Sequence, residues 1–295
     1  MNTPSRPRAT KIICTIGPAT DTSDMLGQLI EAGANVFRLN MSHSKHDWVR
    51  EVVFRIRRKA AELKANVAIL FDLQGPSIRT GDLMEPYHLK KGDTVEIRLG
   101  TAKPELPFST TVNYDGLLQD VQAGHTMVVD NGGILMRIAE VRPDRLICDV
   151  LTEGVFGSRR HINLPGVALR LPALTEKDLA DLAVAVECET DYVAMSFVRD
   201  AAHIAQLREH IDNLGGKAQI VAKIEDQQAV RHIDDIILAA DVIMVARGDL
   251  GIEVSIEELP IIQRRIVRHC HRLGRRCIVA THMLESMICL LYTSD

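Results

Sequence analysis

At 295 residues, with 46% hydrophobic and 25% charged side chains, the chain has the composition of a soluble globular protein of one large or two ordinary domains. A net charge of −4 gives no reason to expect nucleic acid or an anionic membrane as a partner, and no run of about 18 apolar residues is present to span a bilayer. Six cysteines with no C-x-x-C pair read as reduced thiols of a cytoplasmic protein, not as a disulfide framework or a zinc site. The N-terminus, MNTPSRPRATK, is basic but lacks the apolar core of a secretion signal.

Lys11 to Ile16 is a β-like run ending in Gly17-Pro18. Thr22 or Ser23 can cap a helix with Met25, Leu26, Leu29 and Ile30 on one face, and Gly33 ends it. Ala34 to Leu39 is the next strand. Asp47 to Lys64 is a longer helix with Val49, Val52, Val53, Ile56, Ala60 and Leu63 turned inward, and Val67 to Phe71 is a third strand. From Gly81 to Val167 the period changes to short alternating runs, separated by Gly92-Asp93, Asn131-Gly132-Gly133 and Pro143-Asp144 as turns. That predicts a small antiparallel β domain inserted into an α/β domain.

After Pro172 the α/β rhythm resumes. Thr175-x-x-Asp178 has the form of a capping box opening a helix through Glu187. Tyr192 to Val198 is a strand, Ala201 to Leu214 a helix, and Gln219 to Glu253 a strand-helix-strand unit. A helix through Arg272, with Ile261, Ile262, Ile266 and Val267 inward, and a strand over Arg276 to Ala280 complete the series. Seven strands are expected in an α/β barrel that closes with eight. The expected plan is barrel over 1–81, inserted β domain over 82–167 and barrel again over 168–288.

Polar clusters sit where the apolar runs stop, and in a parallel barrel those C-terminal strand ends carry the chemistry. They are Arg38-Leu-Asn40-Met-Ser42-His43, Asp72-Leu73-Gln-Gly-Pro-Ser77-Ile-Arg79, Lys223 with Glu225, Arg247 with Asp249, and Thr281-His282 with Glu285. Any one of these charges alone reads as a solvated loop residue. Together on one rim, a lysine and two carboxylates suit a divalent cation and an anionic, oxygen-rich substrate. Arginine suits phosphate because its planar fork donates two parallel bonds.

The pieces KIICTIGPAT (11–20), RLNMSH (38–43), FDLQGPSIRTG (71–81), NLPG (163–166), KIE (223–225), VARGDLG (245–251) and ATHMLESM (280–287) occur in the order in which pyruvate kinases carry them. Over residues 10 to 288 the chain resembles that family. The resemblance implies a (β/α)₈ barrel with a β domain after its third strand, and phosphoryl transfer from phosphoenolpyruvate to ADP giving pyruvate and ATP. It implies Lys223 and Thr281 as catalytic residues, and Arg38, Gly248, Asp249 and Thr281 around the substrate. Asn40, His43, Arg79 and Arg160 match positions that contact the nucleotide. Glu225 and Asp249 match ligands of Mg²⁺ (or Mn²⁺), and Asn40, Ser42, Asp72 and the backbone of Leu73 match a K⁺ site. It also implies a homotetramer for a full-length relative.

Two stretches depart from the family pattern. Potassium-dependent relatives follow the aspartate at 72 with Thr-Lys and place a glutamate three residues further on; here Leu73, Gln74 and Ser77 stand there. Losing that negative charge lowers the demand for a bound K⁺. After Ile288 the sequence CLLYTSD replaces the family's continuation, so residues 289–295 are expected to be a non-native tail, with the last strand and the C-terminal domain missing. Two other readings remain beside the kinase: an inactive fragment, and another phosphoenolpyruvate- or pyruvate-binding barrel such as a metal-dependent aldolase or lyase.

Overall fold

The computed structural model describes residues 9–281. His282, Glu285 and the expected tail at 289–295 therefore lie outside the described residues. The elements run β1 (Ile13–Ile16), α1 (Ser23–Glu31), β2 (Val36–Asn40), α2 (His46–Glu62) and β3 (Ala68–Asp72). Next come β4 (Tyr87–Leu89), β5 (Thr94–Arg98), β6 (Phe108–Thr111), α3 (Leu117–Asp120), β7 (Thr126–Val129), β8 (Ile134–Val141), β9 (Arg145–Val150), β10 (Gly154–Phe156) and β11 (Ile162–Asn163). The chain then follows α4 (Glu176–Glu187), β12 (Tyr192–Met195), α5 (Ala201–Asn213), β13 (Gln219–Ile224), α6 (Gln227–Arg231) and α7 (Ile233–Ala239). It closes with β14 (Val242–Ala246), α8 (Arg247–Glu253), α9 (Leu259–Arg272) and β15 (Arg276–Ala280).

Seven of these strands form one sheet in the order β1-β2-β3-β12-β13-β14-β15. All seven expected strands are present, each starting within two residues of its predicted position. Two compact units divide the chain. The first takes in the chain to Gly75, Leu174–Ser196 and Ala202–Ala222; the second takes in Pro76–Ala173, Phe197–Ala201 and the chain from Lys223 onward.

In the first unit, parallel pairing sets Asn40 opposite Asp72 and Asp72 opposite Ala194, so their polar ends stop level with one another. Behind the strands, α1 and α2 bury Leu26, Ile30, Val49, Val52, Val53, Ile56 and Ala60. Leu63, read as inward, lies one residue past the end of α2 and is 37% exposed. Thr22 caps α1 by accepting from Met25 N–H, and the expected capping box of α4 is formed by Thr175 and Asp178.

In the second unit, the inserted segment makes a six-stranded sheet in the order β11-β7-β8-β9-β5-β6, together with the antiparallel pair β10-β4. Its core holds Val95, Ile97, Met127, Ile138, Leu146, Cys148 and Phe156. The sheet is not wholly antiparallel, because β5 and β6 pair in parallel. The connection between them, residues 99–107, reverses the chain once more before β6 begins. Parallel β14 and β15 set Ala246 opposite Ala280, which aligns the starts of the following turns. Ile266 of α9 is fully buried as expected, whereas Ile261 is 69% exposed. No helix among the described residues is long and apolar enough to cross a membrane.

Candidate active site

Two strand-end clusters carry the predicted site residues, one in each unit. In the first unit, Arg38 reaches out from β2 to the end of β3. Its Nε and Nη2 both lie 2.6 Å from Asp72 Oδ2, and Nη1 donates to Thr15 Oγ1 at 2.9 Å. Asp72 is 2% exposed while Arg38 keeps 23% of its side chain open. The guanidinium is thus fixed along one edge with part of its surface available to an anion. Beside it the RLNMSH segment turns sharply: Asn40 Oδ1 accepts from Ser42 N–H at 3.1 Å, and Asn40 O accepts from the Ser44 hydroxyl at 2.7 Å. His43, on the same turn, is exposed. The Leu73 carbonyl accepts from the Ser196 hydroxyl at 2.8 Å.

Helix α4 braces both turns of this cluster. Lys177 Nζ donates to Met41 O at 2.7 Å and pairs with Asp181 at 2.6 Å, and Asp178 Oδ1 accepts from Gly75 N–H at 3.0 Å. Asp178 and Asp181 are fully buried. Sequence reading found Asp178 as a cap but not this second duty, which depends on a contact 103 residues distant in the chain.

In the second unit, Lys223 is the penultimate residue of β13 and Glu225 follows the strand's last residue, so extended alternation carried one residue past the strand sends both side chains the same way. Lys223 Nζ lies 2.8 Å from Glu225 Oε1, and Glu225 Oε2 accepts from Phe197 N–H at 2.6 Å. Phe197 has φ of 55°, a left-handed conformation that a bulky residue rarely adopts. Burial pushes the Glu225 carboxyl up to about 7; the Lys223 charge pulls it down and the Asp249 charge pushes it further up. Two carboxylates therefore crowd one another at the strand ends.

The RGDLG segment is helical: Arg247–Glu253 is α8, and Gly248 and Asp249 occupy its first turn. In the sequence reading these residues end a strand and no helix is expected there; two glycines disfavour one locally, and the helix buries Leu250. Gly248 N–H donates to Thr281 Oγ1 at 3.3 Å. Thr281 is exposed and also has a positive φ, 55°. Arg247 keeps a buried Nε with no hydrogen-bond partner among the described residues.

Arg79 and Arg160 belong to the same unit. Arg79 Nε donates to Ser77 Oγ at 3.3 Å and Nη1 to Arg159 O at 3.1 Å. Arg160 Nη1 pairs with Asp130 at 3.2 Å. His161, next to Arg160 in the chain and bridged antiparallel to Arg79, was not singled out by the sequence reading. Burial lowers its pKa, the Asp249 charge raises it and the Arg79 charge lowers it. Glu253 was missed too: its carboxyl is pushed up to about 7, by burial first and then by Asp226 and Asp249. A lone histidine and a glutamate at the end of a glycine-rich motif gave no signal of that burial.

The residues present fit a divalent cation. Glu225 and Asp249 offer hard carboxylate oxygens whose mutual repulsion a 2+ charge would relieve. No group of three or more His, Cys, Asp or Glu side chains suited to a metal occurs among the described residues. Two carboxylates with substrate oxygens and water completing the shell is the pattern of Mg²⁺ in phosphate chemistry.

Similarity to known proteins identifies the family. The chain is 41% identical over 288 residues to plastidial pyruvate kinase 2 of Arabidopsis thaliana, covering 97% of this chain and 49% of that protein. It is 40% identical over 281 residues to the pyruvate kinase of Clostridium perfringens, 95% of this chain and 59% of that one. For the pyruvate kinase of Geobacillus stearothermophilus the values are 40% over 284 residues, 95% and 48%. The chain thus spans about half the length of the curated relatives it matches. The family model described as pyruvate kinase, barrel domain, matches residues 7–290, and with these identities the chain belongs to the pyruvate kinase family.

Proposed function

We propose that the chain carries the catalytic apparatus for phosphoryl transfer from phosphoenolpyruvate to ADP, giving pyruvate and ATP. The observation that carries this reading is the buried Lys223–Glu225 pair at 2.8 Å, with Asp249 close enough for its charge to act on Glu225, in a member of this family. Breaking an enol-phosphate bond leaves negative charge on both the phosphoryl group and the enolate oxygen, and that charge must be met by fixed positive groups. Lys223 meets it at the phosphoryl group. Arg38, held on Asp72, grips the phosphate, while the Gly248 N–H and the Thr281 hydroxyl face the substrate carboxylate. Thr281 relays a proton from water to the enolate carbon, since its hydroxyl is itself a poor acid. Glu225 and Asp249 hold Mg²⁺ (or Mn²⁺), which supplies positive charge against the developing anion when bound.

Asn40, His43, Arg79 and Arg160 bind the nucleotide in this reading. Asn40, Ser42, Asp72 and the Leu73 carbonyl form the monovalent-cation position. Ser77, in place of the glutamate of potassium-dependent relatives, supports a weak demand for K⁺. The domain plan is a barrel over 1–81 and 168–288 with a small β-barrel over 82–167 that closes over the site and keeps water from the phosphoryl group. A homotetramer is the expected assembly of a full-length relative, and the cytoplasm the expected compartment.

A second reading is a fragment that retains the fold but not turnover. A lactate-dehydrogenase-coupled assay of this chain, beside a version extended to the full length of its relatives, separates the two. ADP-dependent pyruvate production by the extended version alone supports the site and the fragment reading together. Absence of activity in both overturns the phosphoryl-transfer reading.

A further inference from the structure

Most residues other than glycine with a positive φ stand where the chain calls for one. Lys64 and Glu189 directly follow helix C-caps, Asp130 and Asn131 join β7 to β8, and Arg159 lies between β10 and β11. Phe197 is of another kind. It stands two residues past the end of β12 with a φ of 55°, a conformation that asparagine and aspartate tolerate but that strains a bulky side chain. Such strain persists only where the surroundings over-determine it, and it gathers at functional sites. The surroundings do so here. Val198 is fully buried, and Arg199 donates to the carbonyls of Leu169 and Leu171. The Phe197 ring lies against His161, with centroids 6.0 Å apart and planes tilted by 49°.

The strained backbone gives Phe197 N–H its direction: it donates to Glu225 Oε2 at 2.6 Å, while Lys223 Nζ lies 2.8 Å from Glu225 Oε1. One donor therefore holds each oxygen of a carboxylate that is 1% exposed, and each oxygen keeps lone-pair capacity for a cation. On the reading that Glu225 is a ligand of the divalent cation, we infer that Phe197 is a positioning residue for that ligand, its left-handed backbone fixing the carboxylate before the cation arrives. A carboxylate already held in place loses little further freedom on binding, so the fixed N–H raises metal affinity. The role belongs to the backbone conformation and not to the ring, which separates it from packing.

Mn²⁺ binding by the 295-residue chain, followed without substrate by electron paramagnetic resonance of the free ion, tests the inference. Glu225→Gln identifies the part of the signal that comes from this site. Phe197→Asn removes the ring but keeps a residue at home in the left-handed region, whereas Phe197→Val removes the ring and rejects that region. The Asn variant should bind Mn²⁺ within about twofold of the parent, and the Val variant about tenfold more weakly. Urea unfolding should show both destabilised, because both lose the ring. If the Val variant fails to fold, Phe197→Gly takes its place: it allows the same φ without fixing it, and should weaken binding about threefold. Equal loss of affinity in the Asn variant and its counterpart would reduce Phe197 to packing and overturn the inference. Parent-like affinity in the Val or Gly variant would overturn it as well, with the metal reading left standing. Absence of Glu225-dependent Mn²⁺ binding in the parent would remove the metal reading and the inference with it.

Discussion

Lys223 Nζ stands 2.8 Å from Glu225 Oε1 at the end of β13, while the other Glu225 oxygen accepts from Phe197 N–H. The lysine is 12% exposed and the glutamate 1%. The partner of this largely buried ammonium is also a proposed metal ligand, so a cation bound at Glu225 would change the charge that Lys223 faces. In the proposed reaction this fixed positive charge would act on the transferring phosphoryl group with little reorganisation.

Lys223→Met should therefore act on turnover. In an extended, active version of the chain, kcat should fall by about 10²–10³, roughly 3–4 kcal/mol, with KM for phosphoenolpyruvate little changed. Steady-state kinetics decide it; a loss confined to KM would make the lysine a holder of ground-state phosphate.

Glu225→Gln should raise the Mg²⁺ concentration needed for half-maximal activity by tenfold or more, since an amide oxygen replaces one of two carboxylates. The same titration followed by calorimetry without substrate should show weaker Mg²⁺ binding. Unchanged Mg²⁺ dependence would remove Glu225 from the ligand set.

Asp72→Asn tests the fixing of Arg38. The substitution takes away the charge that holds both Nε and Nη2 at 2.6 Å, so the guanidinium should lose its defined direction. KM for phosphoenolpyruvate should rise several-fold while KM for ADP moves little. Equal changes in both would place Arg38 outside phosphate binding.

How much of this was legible in the sequence follows from the range of the interactions. The β13 and β14 runs, the Thr175 box and the sevenfold recurrence of strands are local patterns of period and capping, and the structure has each of them. Lys223 and Glu225 were legible for the same reason, since they stand two residues apart where an apolar strand run stops. The helix over Arg247–Glu253 was not, because two glycines argue against it locally and the burial of Leu250 wins. The single amphipathic segment read between β13 and β14 is two helices, α6 and α7, meeting at His232, whose φ of −98° and ψ of 19° leave the helical region. The support of Gly75 by Asp178, and the environment of His161 and Glu253, arise from residues far apart in the chain. Nothing in period or composition encodes them.

The monovalent-cation position gives a further test. Ser77 stands where potassium-dependent relatives carry a glutamate, so no uncompensated charge there calls for a cation. Replacing K⁺ with a bulky organic cation at constant ionic strength should leave activity of an extended version within about twofold. A tenfold or greater fall would show that Asn40, Ser42 and Asp72 bind a cation that catalysis requires.

Glu253 makes a prediction about stability and pH. Its carboxyl is raised to about 7 from the ordinary 4.5, burial being the largest cause, followed by the charges of Asp226 and Asp249. Because the folded value lies above the unfolded one, the folded protein binds the extra proton between them. The associated stability is complete below about 4.5 and is lost as pH rises through 7. Glu253→Gln keeps an oxygen that can accept from the Gly166 N–H while removing the charge. Relative to the parent, the variant should gain on the order of 1–3 kcal/mol at pH 8 over its value at pH 4.5. Urea unfolding of parent and variant at the two pH values measures that difference directly. A variant whose stability tracked the parent's at both would show that the Glu253 carboxyl is not held protonated by the fold.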